Sequence, residues 1–277
     1  MLRANGKEPA MPFPETSGWS AAAPIRVGMI VPSSNVTMER ELAAMLRARE
    51  AVAEERFSLH ASRVRMRSVI PAELAAMNEQ AERAATELGD AGPDAVVFAC
   101  LVAVMAEGPA AHRRIERQLA AASAAAGQFA PVISSAGALV ETLRRIGAGR
   151  VALVAPYLPA LTDRVCGYLA AEGIVAVDPV ALAEPDNAAV ARLPQEDLLA
   201  LCDILPRDVD AVVLSACVQM PSLAVIEAAE QRLGLPVLSA ATATLFQVLD
   251  RLELATWVPG AGHLLSGSFD RIPQLAR

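Results

Sequence analysis

Short runs of branched apolar residues punctuate this chain, and they come in matched pairs. Arg26-Val27-Gly28-Met29-Ile30-Val31-Pro32 is echoed by Arg150-Val151-Ala152-Leu153-Val154-Ala155-Pro156. Asp94-Ala95-Val96-Val97-Phe98-Ala99-Cys100 is echoed by Asp210-Ala211-Val212-Val213-Leu214-Ser215-Ala216-Cys217, one residue longer. Pro131-Val132-Ile133-Ser134-Ser135-Ala136 is echoed by Pro236-Val237-Leu238-Ser239-Ala240-Ala241. Apolar runs of this length, without alternation, are the pattern of parallel strands buried on both faces. The order is kept in both halves, so the chain reads as doubled.

Helical patterns fill the intervals: Met38 to Ala53, Pro71 to Leu88, Ala110 to Ala126, Leu161 to Glu172, Glu196 to Leu205, Pro221 to Leu233 and Thr244 to Leu254. Strands alternating with helices predict an α/β fold, here two similar lobes, each a parallel sheet flanked by helices. A pseudo-twofold axis would relate the lobes and leave the active site between them. The expected division is a loose tail over 1–24, a first lobe over 25–148, and a second over 149–243. Residues 244–277 are expected to pack back on the first lobe.

Composition narrows the function. A hydrophobic share of 54% in 277 residues is enough for substantial cores. A net charge of −7, with no run of lysine or arginine, predicts no nucleic-acid partner and no anionic-membrane surface. The longest apolar run, Ala95 to Ala106, is short of the roughly 18 to 20 residues a bilayer requires. No signal-peptide core precedes the first strand, and the four cysteines form neither a disulfide framework nor a CxxC pattern. Free thiols in the cytoplasm are therefore expected.

Cys100 and Cys217 stand apart because both end equivalent strands. Ligands of parallel sheets sit beyond the carboxyl ends of the strands, where loops enter helices. Two lobes facing one another would place one thiol on each side of a cleft, an arrangement suited to two-sided chemistry at carbon. A free cysteine titrates near about 8.5, and a helix N-terminus lowers that value, so the position predicts reactive thiols. The backbone amides of Leu101, Val102, Val218 and Gln219 would point into the same cleft as carboxylate donors. Cys166 and Cys202 fall within helical patterns and read as packing residues.

Other features are read as structural. Arg63, Arg65 and Arg67 alternate as on the solvent face of a strand. His60, His112 and His263 have no metal-ligand spacing, so no metal is expected. Gly147-Ala148-Gly149 opens a strand rather than a helix and does not suggest a dinucleotide. Asn35, Asn187 and Tyr157 can each be read as turn or packing residues, or as neutral donors to an anion.

Four segments add a family resemblance. Val31-Pro32-Ser33-Ser34-Asn35-Val36-Thr37-Met38-Glu39, Ala99-Cys100-Leu101-Val102-Ala103, Pro185-Asp186-Asn187 and Leu214-Ser215-Ala216-Cys217-Val218-Gln219-Met220-Pro221 resemble the signatures of maleate isomerases, in the aspartate/glutamate racemase superfamily. The likeness runs from about Ile25 to Gly267, with Val36 standing where threonine is expected. It implies a cofactor-free isomerisation of maleate to fumarate, with Cys100 as nucleophile and Cys217 as proton donor. It places Asn35 and Asn187 on the substrate. It also implies a homodimer or homotetramer, and a part in the breakdown of nicotinate or related rings. A racemase using the same two thiols on an amino acid remains the alternative at this stage, although the quoted segments offer few acceptors for an ammonium group. A non-catalytic small-anion binding protein is the second alternative. An arylmalonate-type decarboxylase would need only one of the two cysteines.

Overall fold

A computed structural model describes residues 23–270 apart from 126 and 128. The expected 1–24 tail, the end of the Ala110 to Ala126 helix and residues 271–277 thus lie largely outside the described residues.

Among the described residues, eight parallel strands form two four-stranded sheets. The first lobe contains β1 (Ile25–Pro32), α1 (Met38–Glu50), β2 (Phe57–Val64), α2 (Pro71–Gly89) and β3 (Ala95–Phe98). It continues with α3 (Leu101–Ala106), α4 (Ala111–Ala124), β4 (Val132–Ser134) and α5 (Ser135–Arg145). The second contains β5 (Arg150–Ala155), α6 (Pro159–Ala171), β6 (Val175–Ala181), α7 (Asn187–Val190) and α8 (Gln195–Leu201). It ends with β7 (Ala211–Ser215), α9 (Ile226–Leu233), β8 (Val237–Ser239) and α10 (Ala240–Arg251). The sheet orders β2-β1-β3-β4 and β6-β5-β7-β8 are the same arrangement used twice. The two-lobed α/β fold is therefore the one the paired strands imply.

The matched strands are central or covered, and β3, β4, β7 and β8 are buried at every residue. The outer strands β2 and β6 are half exposed. Matching helices α5 and α10 are N-capped by Ser134 and Ser239, whose hydroxyls accept from Gly137 N at 3.0 Å and Thr242 N at 3.2 Å. Such caps satisfy amides that the first helical turn leaves free. The two helices then pack on one another across the seam. Residues Ala240 to Leu249 of α10 are all buried, which a helix hydrophobic on every face requires. Few polar groups enter this seam, and they are paired: Thr244 Oγ1 donates to Ser135 Oγ at 3.2 Å, and Gln247 Nε2 to Thr142 Oγ1 at 3.2 Å. Gly137 leaves room for the Glu116 carboxylate, which a Cβ there would meet at 2.3 Å.

Two local expectations are corrected. The helix expected from Pro221 begins only at Ile226, after a 3₁₀ turn at Leu223–Val225. Its would-be first amides are used elsewhere, since Ser222 N and Leu223 N donate to Glu41 Oε1 of α1 at 2.7 and 2.9 Å. The alternating arginines do not share a strand face, because β2 stops at Val64. Arg63 turns onto the β1–α1 loop, donating to the carbonyls of Ser33 at 3.1 Å and Asn35 at 3.0 Å, and pairs with Glu39.

Candidate active site

The carboxyl ends of the two sheets meet around one small pocket. Cys100 and Cys217 line it, as do Asn35, Tyr157 and Asn187. So do Leu101, Val102, Val218 and Gln219. Every residue singled out for the site is thus brought to the same cavity. Pro32, Met66 and Val69 complete the wall. Met66 and Val69 come from the β2–α2 loop, where a few apolar residues among arginines carried no distinguishing signal.

Each thiol is set by its own local structure. Cys100 follows β3 after a single residue, Ala99, and occupies the N-cap position of α3, so Leu101 and Val102 form the first helical residues. Their N–H groups have no partner within the helix. Cys217 sits in a different frame. Its loop does not open into a helix but is folded back by Ser215, whose hydroxyl donates to the carbonyls of Cys217 at 2.8 Å and Met220 at 3.1 Å. The turn wraps amides around the sulfur, with Gln219 N at 3.3 Å from Cys217 Sγ.

The thiols are harder to ionise than their positions suggest. Burial pushes Cys100 up to about 12, with the Ala103 amide acting the other way and the facing Cys217 adding to the rise. Burial also raises Cys217, opposed by the Tyr157 hydroxyl and by the amides of Gln219 and Met220. The physical reason is desolvation: these sulfurs are 3% and 6% exposed, and an anion there has little water. The expected lowering at a helix N-terminus is overridden. The donors are unequally shared, three on Cys217 and one on Cys100, so the pocket is better prepared for an anion on the second sulfur.

The amide side chains are also directed. Asn35 Oδ1 accepts from Thr37 N and Met38 N, both at 3.0 Å, which leaves its NH₂ group toward Val218 O at 3.3 Å. It therefore holds its own turn and ties it to the Cys217 loop at once. Asn187 Nδ2 donates to Ser34 Oγ at 2.8 Å. No side chain lining the pocket is a lysine, arginine, aspartate or glutamate. Among the described residues, no three His, Cys, Asp or Glu side chains gather as a metal-binding group, and no helix is long and apolar enough to cross a membrane.

Comparison with known proteins agrees with this geometry. A family model described as Amdase, arylmalonate decarboxylase, matches residues 27–265. A maleate isomerase from Geobacillus stearothermophilus is 50% identical over 249 residues, covering 88% of this chain and 98% of that protein. A solved maleate isomerase from Pseudomonas putida S16 with maleate has a TM-score of 0.87 at 47% identity, covering 89% of this chain and 99% of the other. A Nocardia farcinica maleate cis-trans isomerase variant, bearing a covalently bound succinylcysteine intermediate, has a TM-score of 0.85 at 48% identity. That similarity covers 88% of this chain and 99% of the other. With 50% identity over 88% of its length and nearly all of such a relative, the chain belongs to the maleate isomerase family.

Proposed function

We propose that this protein isomerises maleate to fumarate without a cofactor, with Cys100 as nucleophile and Cys217 as proton donor and acceptor. The observation that carries the proposal is the pair of thiols, delivered by equivalent strands of two lobes to one pocket.

The reacting form carries the anion on Cys100, reached from the neutral resting thiol by loss of its proton to solvent before maleate binds, and the proton on Cys217. Cys100 Sγ bonds to one alkene carbon, and the π electrons shift to the other carbon, which takes the Cys217 proton. The product is a succinyl group on Cys100 and a thiolate at Cys217. The former double bond is now single and rotates. Cys217 then removes a proton from the carbon it had protonated, the π bond re-forms, and Cys100 leaves as thiolate with fumarate released. Tyr157 and the Gln219 and Met220 amides favour the intermediate, because they stabilise the charge on Cys217 that exists only then.

The substrate's charges meet neutral donors. The amides of Leu101 and Val102, the remaining N–H of Asn35 and Asn187 line the pocket, and the proposal assigns them to the carboxylate oxygens. In a water-poor site such dipoles bind an anion without the desolvation cost of an unpaired buried cation. An amino-acid racemase would need an acceptor for ammonium, and no carboxylate lines this pocket. A decarboxylase would use one sulfur, leaving the second thiol without a role.

All four cysteines are free, which fits a reducing cytoplasm. The assembly of two or four chains is proposed on the family resemblance, which light scattering of the purified protein tests.

Incubation with maleate, followed by NMR with no cofactor added, is the test of function. Wild type is expected to release fumarate, and Cys217→Ala to show a succinyl mass increment on Cys100. Well-folded wild type that yields neither fumarate nor adduct would refute the proposal, and aspartate and glutamate racemisation would be assayed next.

A further inference from the structure

Gln219 is 3% exposed, and its carboxamide is spent on the protein itself. Nε2 donates to Ser34 O and to Asn187 O, each at 3.0 Å, and Oε1 accepts from Val36 N at 3.0 Å. Both N–H bonds and an acceptor position are thereby occupied. No donor remains for a carboxylate. The three contacts reach both peptide groups flanking Asn35 in the first lobe and the peptide of Asn187 in the second. The residue's own amide rests on Cys217 Sγ at 3.3 Å. One residue thus spans the proton-transferring sulfur and both pocket asparagines.

We infer that Gln219 is a positioning residue, which sets the register between Cys217 and the Asn35 and Asn187 amides through its three side-chain hydrogen bonds. The inference rests on the isomerase reading of the site. It explains why a carboxamide stands there: two carbonyl oxygens need donors and one amide needs an acceptor, and a neutral amide supplies both. Glutamate would set a carboxylate against two carbonyls. Methionine has nearly the same shape but can donate to neither.

The reaction needs atoms held within a fraction of an ångström, so loss of this register acts on turnover more than on binding. Gln219→Met and Gln219→Glu are compared with wild type for kcat, KM and thermal melting, with fumarate read by NMR. Gln219→Met is expected to fold and to lose about 10- to 100-fold in kcat with a much smaller change in KM. Gln219→Glu is expected to acquire a new limb in its pH profile. Its kcat rises as pH falls, because the protonated acid can again donate to one carbonyl.

A raised KM with unchanged kcat would overturn the assignment and make the side chain a substrate ligand. Unchanged turnover per folded molecule, or failure of both variants to fold, would overturn it in favour of a purely structural role. Absence of fumarate from wild type is a separate result, which removes the isomerase reading itself.

Discussion

Glu41 Oε1 of α1 lies 2.7 Å from the backbone nitrogen of Ser222, so a carboxylate of the first lobe holds the loop that follows Cys217 in the second. The same oxygen accepts from Leu223 N at 2.9 Å. Burial raises the pKa of this carboxyl, and the two backbone bonds only partly offset the rise.

Glu41→Gln keeps the acceptor and removes the buried charge. Its stability at neutral pH is expected to match or exceed that of wild type. Glu41→Ala leaves two amides unpaired and is expected to cost about 1–3 kcal/mol. The pH dependence follows from the raised value: the folded state binds more protons than the unfolded between 4.5 and the folded pKa. Wild type therefore loses stability as pH rises through that window, and Glu41→Gln lacks this slope. Denaturant melts across pH 4 to 8 check both statements.

Cys100 is expected to resist alkylation in the empty protein. With its thiol pushed up to about 12, it is neutral at physiological pH. The labelling rate is expected to climb about tenfold per pH unit, with no plateau near the usual thiol value of about 8.5. Rates of iodoacetamide labelling between pH 7 and 9.5, read by peptide mass, test this. A plateau near 8.5 would show that desolvation does not control this sulfur.

Tyr157→Phe removes the hydroxyl from Cys217 while retaining the ring. A loss of about 100-fold in kcat is expected, with KM little changed, because the donor acts on charge present only after proton transfer. If KM rises and kcat holds, the phenol binds the substrate carboxylate instead.

Glu172 near the end of α6 joins the lobes by ion pairs to Arg113 at 2.7 Å and Arg144 at 2.6 Å. The Arg113 bonds do most to hold this carboxyl below its usual range. Its contribution is therefore present above 4.5 and is lost as pH falls through the lower folded value. Both guanidiniums are some two-fifths exposed, at 41% and 39%, so solvent weakens the pairs. Glu172→Gln is expected to cost about 1–2 kcal/mol at pH 7, between exposed and buried pairs, and to flatten the acid limb of the stability curve. Equal acid limbs in urea melts would refute this.

The doubled strands and the two thiols could be read from the chain because fully buried strands need an unbroken apolar run, and that run was kept in both halves. The half-exposed strands β2 and β6 could not. Phe57–Val64 mixes Ser, His and Arg with apolar residues, and Val175–Ala181 contains Pro179 beside Asp178, which has a φ of 42°. Glu41 reads locally as an acid complementing the start of a helix. Its actual partners are some 180 residues away, and they also delay the helix expected from Pro221. Thiol ionisation was misjudged for a related reason: local sequence shows a helix start but not how completely the facing lobe excludes water. Gln219 was singled out for its backbone amide, while the function of its side chain depends on three loops that only the fold assembles.

The braces between the halves run crosswise. Glu41 of α1 secures the Cys217 loop, while the corner after Cys100 and α3 is secured to α6, where His112 N donates to Tyr168 Oη at 3.1 Å and Arg113 pairs with Glu172. The separation of the two sulfurs is consequently a property of the seam, set by neither half alone. A substitution in α6 bears on the Cys100 side of the pocket, and one in α1 on the Cys217 side, so the two halves can no longer vary independently.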